Sequence, residues 1–112
     1  MSIELQREWV EALRSGKYKQ ETGALHIAGG YCCLGVLCEV LTEKGKLSRS
    51  GNWYELDTQE EGTLTMESSL AYPLLKMIGI DAELESRLIA MNDDEERTFP
   101  EIAAFIEEKV IA

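Results

Sequence analysis

Apolar residues recur through the first fifteen positions at the spacing of a helix face. Leu5, Trp9, Ala12 and Leu13 fall at i, i+4, i+7 and i+8, while Arg7, Glu8, Glu11 and Arg14 take the other side. This predicts an amphipathic helix from Ser2, a suitable cap, to Ser15, with Gly16 as its stop. The polar stretch 17–23 reads as a loop. Ala24 to Ile27 reads as a short strand closed by an Ala28-Gly29-Gly30 turn. From Tyr31 to Leu41 nearly every position is apolar, with Glu39 the only charge and Gly35 leaving room for a close neighbour. A buried central helix running to Glu43 is expected there. A buried strand is the competing reading, because periodicity does not separate the two over so short a length.

The connection from Lys44 to Asn52 is polar. Trp53 to Leu56 and Gly62 to Met66 then flank residues 57–61 as a hairpin, with Tyr54, Leu56, Leu64 and Met66 turned inward. Pro73 suits the first turn of a short helix ending at Gly79. Asp81 is placed to cap the next helix, which carries Leu84, Leu88 and Met91 on one face and stops near Asn92-Asp93. Thr98 and Glu101 have the spacing of a capping box, with Pro100 in the first turn and Ile102, Phe105 and Ile106 on the apolar side. Together these elements predict a single domain over residues 1–112. Its class is α+β and mainly helical: about five helices packed around a small antiparallel β-sheet, with a buried central helix near 31–43.

Charge changes this picture. With 45% hydrophobic and 29% charged residues the composition is that of a folded domain, but 11 basic against 21 acidic residues leave a net charge of −10. Direct nucleic-acid binding is therefore not expected, since phosphate neutralisation needs clustered lysine and arginine. Residues 1–50 hold 7 basic and 6 acidic side chains, whereas residues 51–112 hold 4 and 15. The acidic half reads either as a solubilising surface or as a face shaped for a basic partner, such as the nucleic-acid groove of another protein. Asp93, Asp94, Glu95, Glu96 and Glu107 are the candidate protein contacts. The start of the chain lacks a signal-peptide pattern, and the longest apolar run, Tyr31 to Cys38, is far shorter than the ~20 residues that span a bilayer. The expectation is a cytoplasmic protein with no membrane association, its oligomeric state left open. Three cysteines, two of them adjacent, do not form a disulfide framework and are expected as reduced thiols.

No catalytic residue, metal or cofactor is assigned from the sequence. Cys32, Cys33, Cys38 and His26 are the available soft ligands, but adjacent helical residues point about 100° apart and the usual C-x₂-C spacing is missing. The acids from Asp93 to Glu96 are consecutive, without the alternation and glycine of a calcium loop. A hydrolase pairing His26 with Cys32 or Cys33 is the remaining enzymatic reading. Arg14, Lys17 and Lys19 form a basic cluster in an otherwise acidic chain. With the glycine turn and the amides opening the central helix they suggest a site for a small nucleotide-like anion, built from Lys17, Lys19, Gln20, His26, Tyr31 and Asn92. The plainer reading is the ordinary preference for cations at a helix C-terminus.

The strings Lys17-Tyr18-Lys19-Gln20, Gly23-Ala24-Leu25 and Gly30 to Glu39, with its YCCLGVLC core, resemble a family of small bacteriophage and prophage proteins. Leu88 to Asp93 followed by Thr98-Phe99-Pro100-Glu101-Ile102-Ala103 extends the resemblance to the other end. It implies an accessory protein working inside a bacterium, non-enzymatically, by binding and modulating or inhibiting a host factor such as a defence component. No site residue carries over from it.

Overall fold

In the computed structural model, which describes residues 2–111, the chain runs through α1 (Ser2–Arg14), β1 (His26–Ile27), β2 (Gly30–Tyr31), α2 (Cys33–Glu43), β3 (Ser48–Ser50), β4 (Trp53–Thr58), β5 (Gly62–Met66), α3 (Tyr72–Ile78), α4 (Ala82–Asp93) and α5 (Phe99–Ile106). A π-helical turn, Glu107–Ile111, extends α5. The class is α+β, as expected, with two small antiparallel sheets in place of one. The helix is already under way at Ser2, so the cap assigned to that residue lies outside what is described.

Helix α2 is the centre of the packing. Eight of its eleven residues are buried, as an all-round apolar helix requires. Helix α1 lays Leu5, Trp9, Val10 and Leu13 against it. The buried Trp9 indole N–H donates to the Cys33 carbonyl at 2.8 Å, which satisfies the ring nitrogen and pins α1 to the first turn of α2. Buried Gln6 donates to the Ile78 carbonyl at 2.7 Å, reaching one of the last α3 carbonyls that lack a helical partner.

The entry to α2 differs from the sequence expectation. Tyr31 is not helical: it pairs with His26 in a two-residue-turn hairpin, β1–β2, and the helix begins two residues later. The turn residues Ala28 and Gly29 have φ of 52° and 78°, the double left-handed conformation of a type I′ turn that matches strand twist. Cys32 then serves as N-cap, its thiol sulfur accepting from the Gly35 N–H at 3.4 Å. Gly35 faces the backbone of Leu25 directly. A Cβ built there would overlap the Leu25 carbonyl oxygen and lie 2.7 Å from its carbon, so only glycine allows this approach.

The second sheet has order β3-β4-β5. Tyr54 pairs with Met66 and Leu56 with Leu64, and this face turns inward with Tyr54, Leu56 and Met66 buried. Strand β3 falls in the connection read as polar. Its three residues are all exposed, so it carries no apolar alternation to detect. Pro73 opens α3, and Gly79, at φ 87°, closes it. Asp81 caps α4 by accepting from the Leu84 N–H at 2.8 Å, and Thr98 with Glu101 forms the expected capping box on α5. The Thr98 amide holds the Glu101 carboxyl below its usual pKa. Among the described residues no helix is long and apolar enough to cross a membrane.

Candidate functional site

Two polar clusters form beside the first turn of α2. The first gathers His26, Tyr31, Tyr18, Arg49, Glu39 and Tyr54 from six segments of the chain. Tyr31 stacks on His26 with ring centroids 4.4 Å apart, and Tyr18 meets Tyr31 edge to face at 5.4 Å. His26 Nδ1 lies 2.7 Å from the Gly30 carbonyl oxygen. A carbonyl only accepts, so Nδ1 carries the hydrogen and Nε2 presents its lone pair to the Arg49 guanidinium at 3.3 Å. Arg49 also holds Glu39 at 3.3 Å, and the Tyr54 hydroxyl donates to the same carboxylate at 2.6 Å. Burial pushes the Tyr54 hydroxyl pKa up, and the hydrogen bond to Glu39 adds to it. Tyr18 donates to Glu43 at 3.2 Å, and burial with that nearby charge lifts its pKa to about 12. Tyr18 and Tyr54 therefore stay neutral donors at ordinary pH.

The second cluster ties the loop after α1 to the end of α4. Asn92, 1% exposed, donates to the Glu21 carbonyl at 2.9 Å and to Asp93 at 2.8 Å. Gln20 donates to Asn92 Oδ1 at 2.8 Å and to the Arg97 carbonyl at 2.7 Å. The backbone of 19–21 runs beside β2, with the Tyr31 N–H donating to the Lys19 carbonyl and the Glu21 N–H to the Tyr31 carbonyl, each at 2.8 Å.

The six residues assigned to an anion site are thus divided. Gln20 meets Asn92, and His26 meets Tyr31, while Lys17 and Lys19 are engaged by carboxylates. Lys17 lies 3.6 Å from Glu43 and Lys19 lies 3.3 Å from Glu21, both lysines largely in solvent. Lys17 and Lys44 border an open cleft of about 610 Å³, but Glu8, Glu11 and Glu43 outnumber them there, a poor environment for an anion. A second cleft of about 710 Å³ lies between Ile80, Leu84 and Val110 and contains none of the six.

The proposed acidic contacts also separate. Glu107 accepts two bonds from Arg14, at 2.8 and 2.9 Å, and Glu95 sits between Arg87 and Arg97. These guanidinium groups hold both carboxyls below their usual pKa. Asp93 accepts from Asn92, whereas Asp94 and Glu96 stand exposed.

His26 does not meet a cysteine, because both its ring nitrogens are committed to Gly30 and Arg49. The three thiols are buried, and desolvation raises the Cys32 pKa to about 11 and those of Cys33 and Cys38 well above the ordinary value. A thiolate nucleophile is not prepared here. Among the described residues no three metal-ligating side chains cluster. Arg49, Glu39, Tyr18 and Tyr54 were not assigned to a site by sequence. The visible signal was Glu39, a lone carboxylate in an apolar helix, which must find partners when its helix is buried.

The molecule is a small α+β domain whose two polar clusters are joined by hydrogen bonds and ion pairs within the chain. The chain belongs to the family described as Domain of unknown function (DUF8296), whose profile it matches over residues 1–110. Comparison with curated proteins finds no match, and comparison with solved structures finds none.

Proposed function

We propose that the protein is a non-enzymatic binding protein that docks an acidic surface on a basic region of a protein partner. In the setting the resemblance implies, a phage or prophage accessory product in a bacterial cytoplasm, that partner is a host factor whose activity it modulates or inhibits. One observation carries this reading. Eight of the eleven basic side chains, namely Arg14, Lys17, Lys19, Lys44, Arg49, Arg87, Arg97 and Lys109, lie within 4 Å of a glutamate. Positive charge is therefore neutralised locally, and the excess of acids faces solvent unmatched. Such a field steers and selects a cationic surface. It opposes capture of a free anion, for which Lys17 and Lys19 would first have to leave their carboxylates.

The test is affinity capture from host lysate at roughly 0.05 M and 0.5 M salt, where the screening length falls several-fold. The expected result is a discrete protein with a basic surface, retained at low salt, released at high salt, and lost when Asp94→Lys and Glu96→Lys are combined with Glu55→Lys and Asp57→Lys. Retention that ignores both salt and charge reversal would refute it.

A further inference from the structure

The acidic field is not spread evenly over the fold. Between Arg49 and Lys76 the chain has no lysine, arginine or histidine but five acids: Glu55, Asp57, Glu60, Glu61 and Glu67. This span builds β4 and β5, whose inner face is spent on the core. Alternation sends Trp53, Glu55 and Asp57 of β4, Thr63 and Thr65 of β5, and Ser48 and Ser50 of β3 to the opposite face. Trp53 is 37% exposed there, with its indole N–H donating to Glu55 at 3.3 Å. Asp57 accepts from Thr63 at 2.7 Å. Neither carboxylate has a cation beside it in the described structure, unlike Glu95 and Glu107.

Trp53, Glu55 and Asp57 stand in one row at intervals of about 6.7 Å, the two-residue repeat of a strand. An extended peptide presents alternate side chains at that same interval. An arginine over the tryptophan ring gains a cation–π contact, and arginines over the next two positions meet carboxylates bidentately. Arginine suits all three positions better than lysine, because its planar guanidinium both stacks and forks. We infer that the outer face of the β3–β4–β5 sheet is the docking surface, and that its occupant is an extended segment of a protein partner with arginines at alternate positions. This rests on the acidic-surface reading above and deepens it.

The test uses isotope-labelled protein titrated at low ionic strength with a blocked Arg-Thr-Arg-Thr-Arg-Thr peptide, followed by amide and indole NMR shifts. The largest shifts are expected at residues 48–50, 53–57 and 63–65 and at the Trp53 indole. The Glu55→Lys/Asp57→Lys double variant should weaken binding by about tenfold or more, and Asp94→Lys/Glu96→Lys by less than about twofold. Thr63→Lys/Thr65→Lys, on the neighbouring strand, should weaken it similarly and serves if the first variant does not fold. A lysine-for-arginine peptide should bind several-fold more weakly. Shifts centred instead on residues 93–96 or on the helices would overturn this face while leaving an acidic contact surface in place. An absence of shifts at millimolar peptide would overturn both.

Discussion

Replacing Gly35 by alanine sets two physical effects against each other. On helix propensity alone the change should stabilise α2 by about 1 kcal/mol. The added methyl, however, has to occupy the space of the Leu25 carbonyl, with its oxygen overlapped, its carbon at 2.7 Å and Leu25 Cα at 3.3 Å. The obstacle is backbone, so no side chain can swing aside. Opening the gap also stretches the Cys32 N–H bond to Leu25 O, now 3.2 Å, and disturbs the 2.8 Å bond from Leu25 N–H to Glu67 O. Overpacking typically costs about 1–3 kcal/mol and here belongs at the upper end, with each weakened hydrogen bond adding roughly 1 kcal/mol. The net expectation is a loss of about 4 kcal/mol, or about 16 °C in Tm for a domain of this size. Gly16→Ala is the control. Unlike the helical Gly35 it has a positive φ, of 75°, and nothing within 4 Å, so it should lose only about 1 kcal/mol from backbone strain. Urea and thermal unfolding of both variants decide the matter. A Gly35→Ala midpoint equal to the parent, or no lower than that of Gly16→Ala, would refute the backbone-to-backbone approach of α2 and the 25–31 hairpin.

Ala28 holds a φ of 52° in its hairpin turn, so Ala28→Asn should raise stability by about 0.5–1 kcal/mol, read as a higher urea midpoint at unchanged m. Asn92→Ala leaves the Glu21 carbonyl and the Gln20 amide without their buried partner; a loss of about 2–3 kcal/mol is expected, with faster amide exchange in residues 19–21. Burial raises the folded-state Cys32 pKa from 9.0 to about 11, so its contribution is complete below pH 9 and is lost as pH rises through that interval. Urea unfolding from pH 7 to 10.5 should show that decline, and Cys32→Ser, which keeps a capping atom, should make it shallower without abolishing it, because buried Cys33 and Cys38 contribute in the same direction.

Most of the architecture was legible because it rests on local signals. The α1 stripe, the Asp81 and Thr98 caps, the Pro73 and Gly79 bounds of α3 and the inward face of the β4–β5 hairpin each follow from residues a few positions apart. What escaped depends on distant partners. Strand β3 exists because β4 offers it an edge, and its own Ser-Arg-Ser carries no pattern. Tyr31 was absorbed into the apolar run of α2, whereas pairing with His26 and the 19–21 loop draws it into a strand. For the candidate site, the Gln20–Asn92 and His26–Tyr31 encounters join residues that the sequence had grouped. The engagement of Lys17 and Lys19 by glutamates could not be read, since Glu43 is 26 positions from Lys17 and meets it only through α1–α2 packing. Buried Gln6 and Glu85 were likewise hidden, each serving a backbone group brought close by the tertiary fold.

A helix that is greasy on every side has no preferred rotation about its own axis, since burying any face gains about as much as burying another. Glu39 helps remove that ambiguity in α2, together with the Gly35–Leu25 approach. Its carboxylate meets both the Tyr54 hydroxyl and the Arg49 guanidinium, and only one rotational setting reaches them. The single charge in the stretch thus works as a key in a keyway. Replacing it with an isosteric apolar residue would preserve the bulk of the centre while leaving the rotation of the helix to the Gly35–Leu25 approach and the Trp9 hydrogen bond alone.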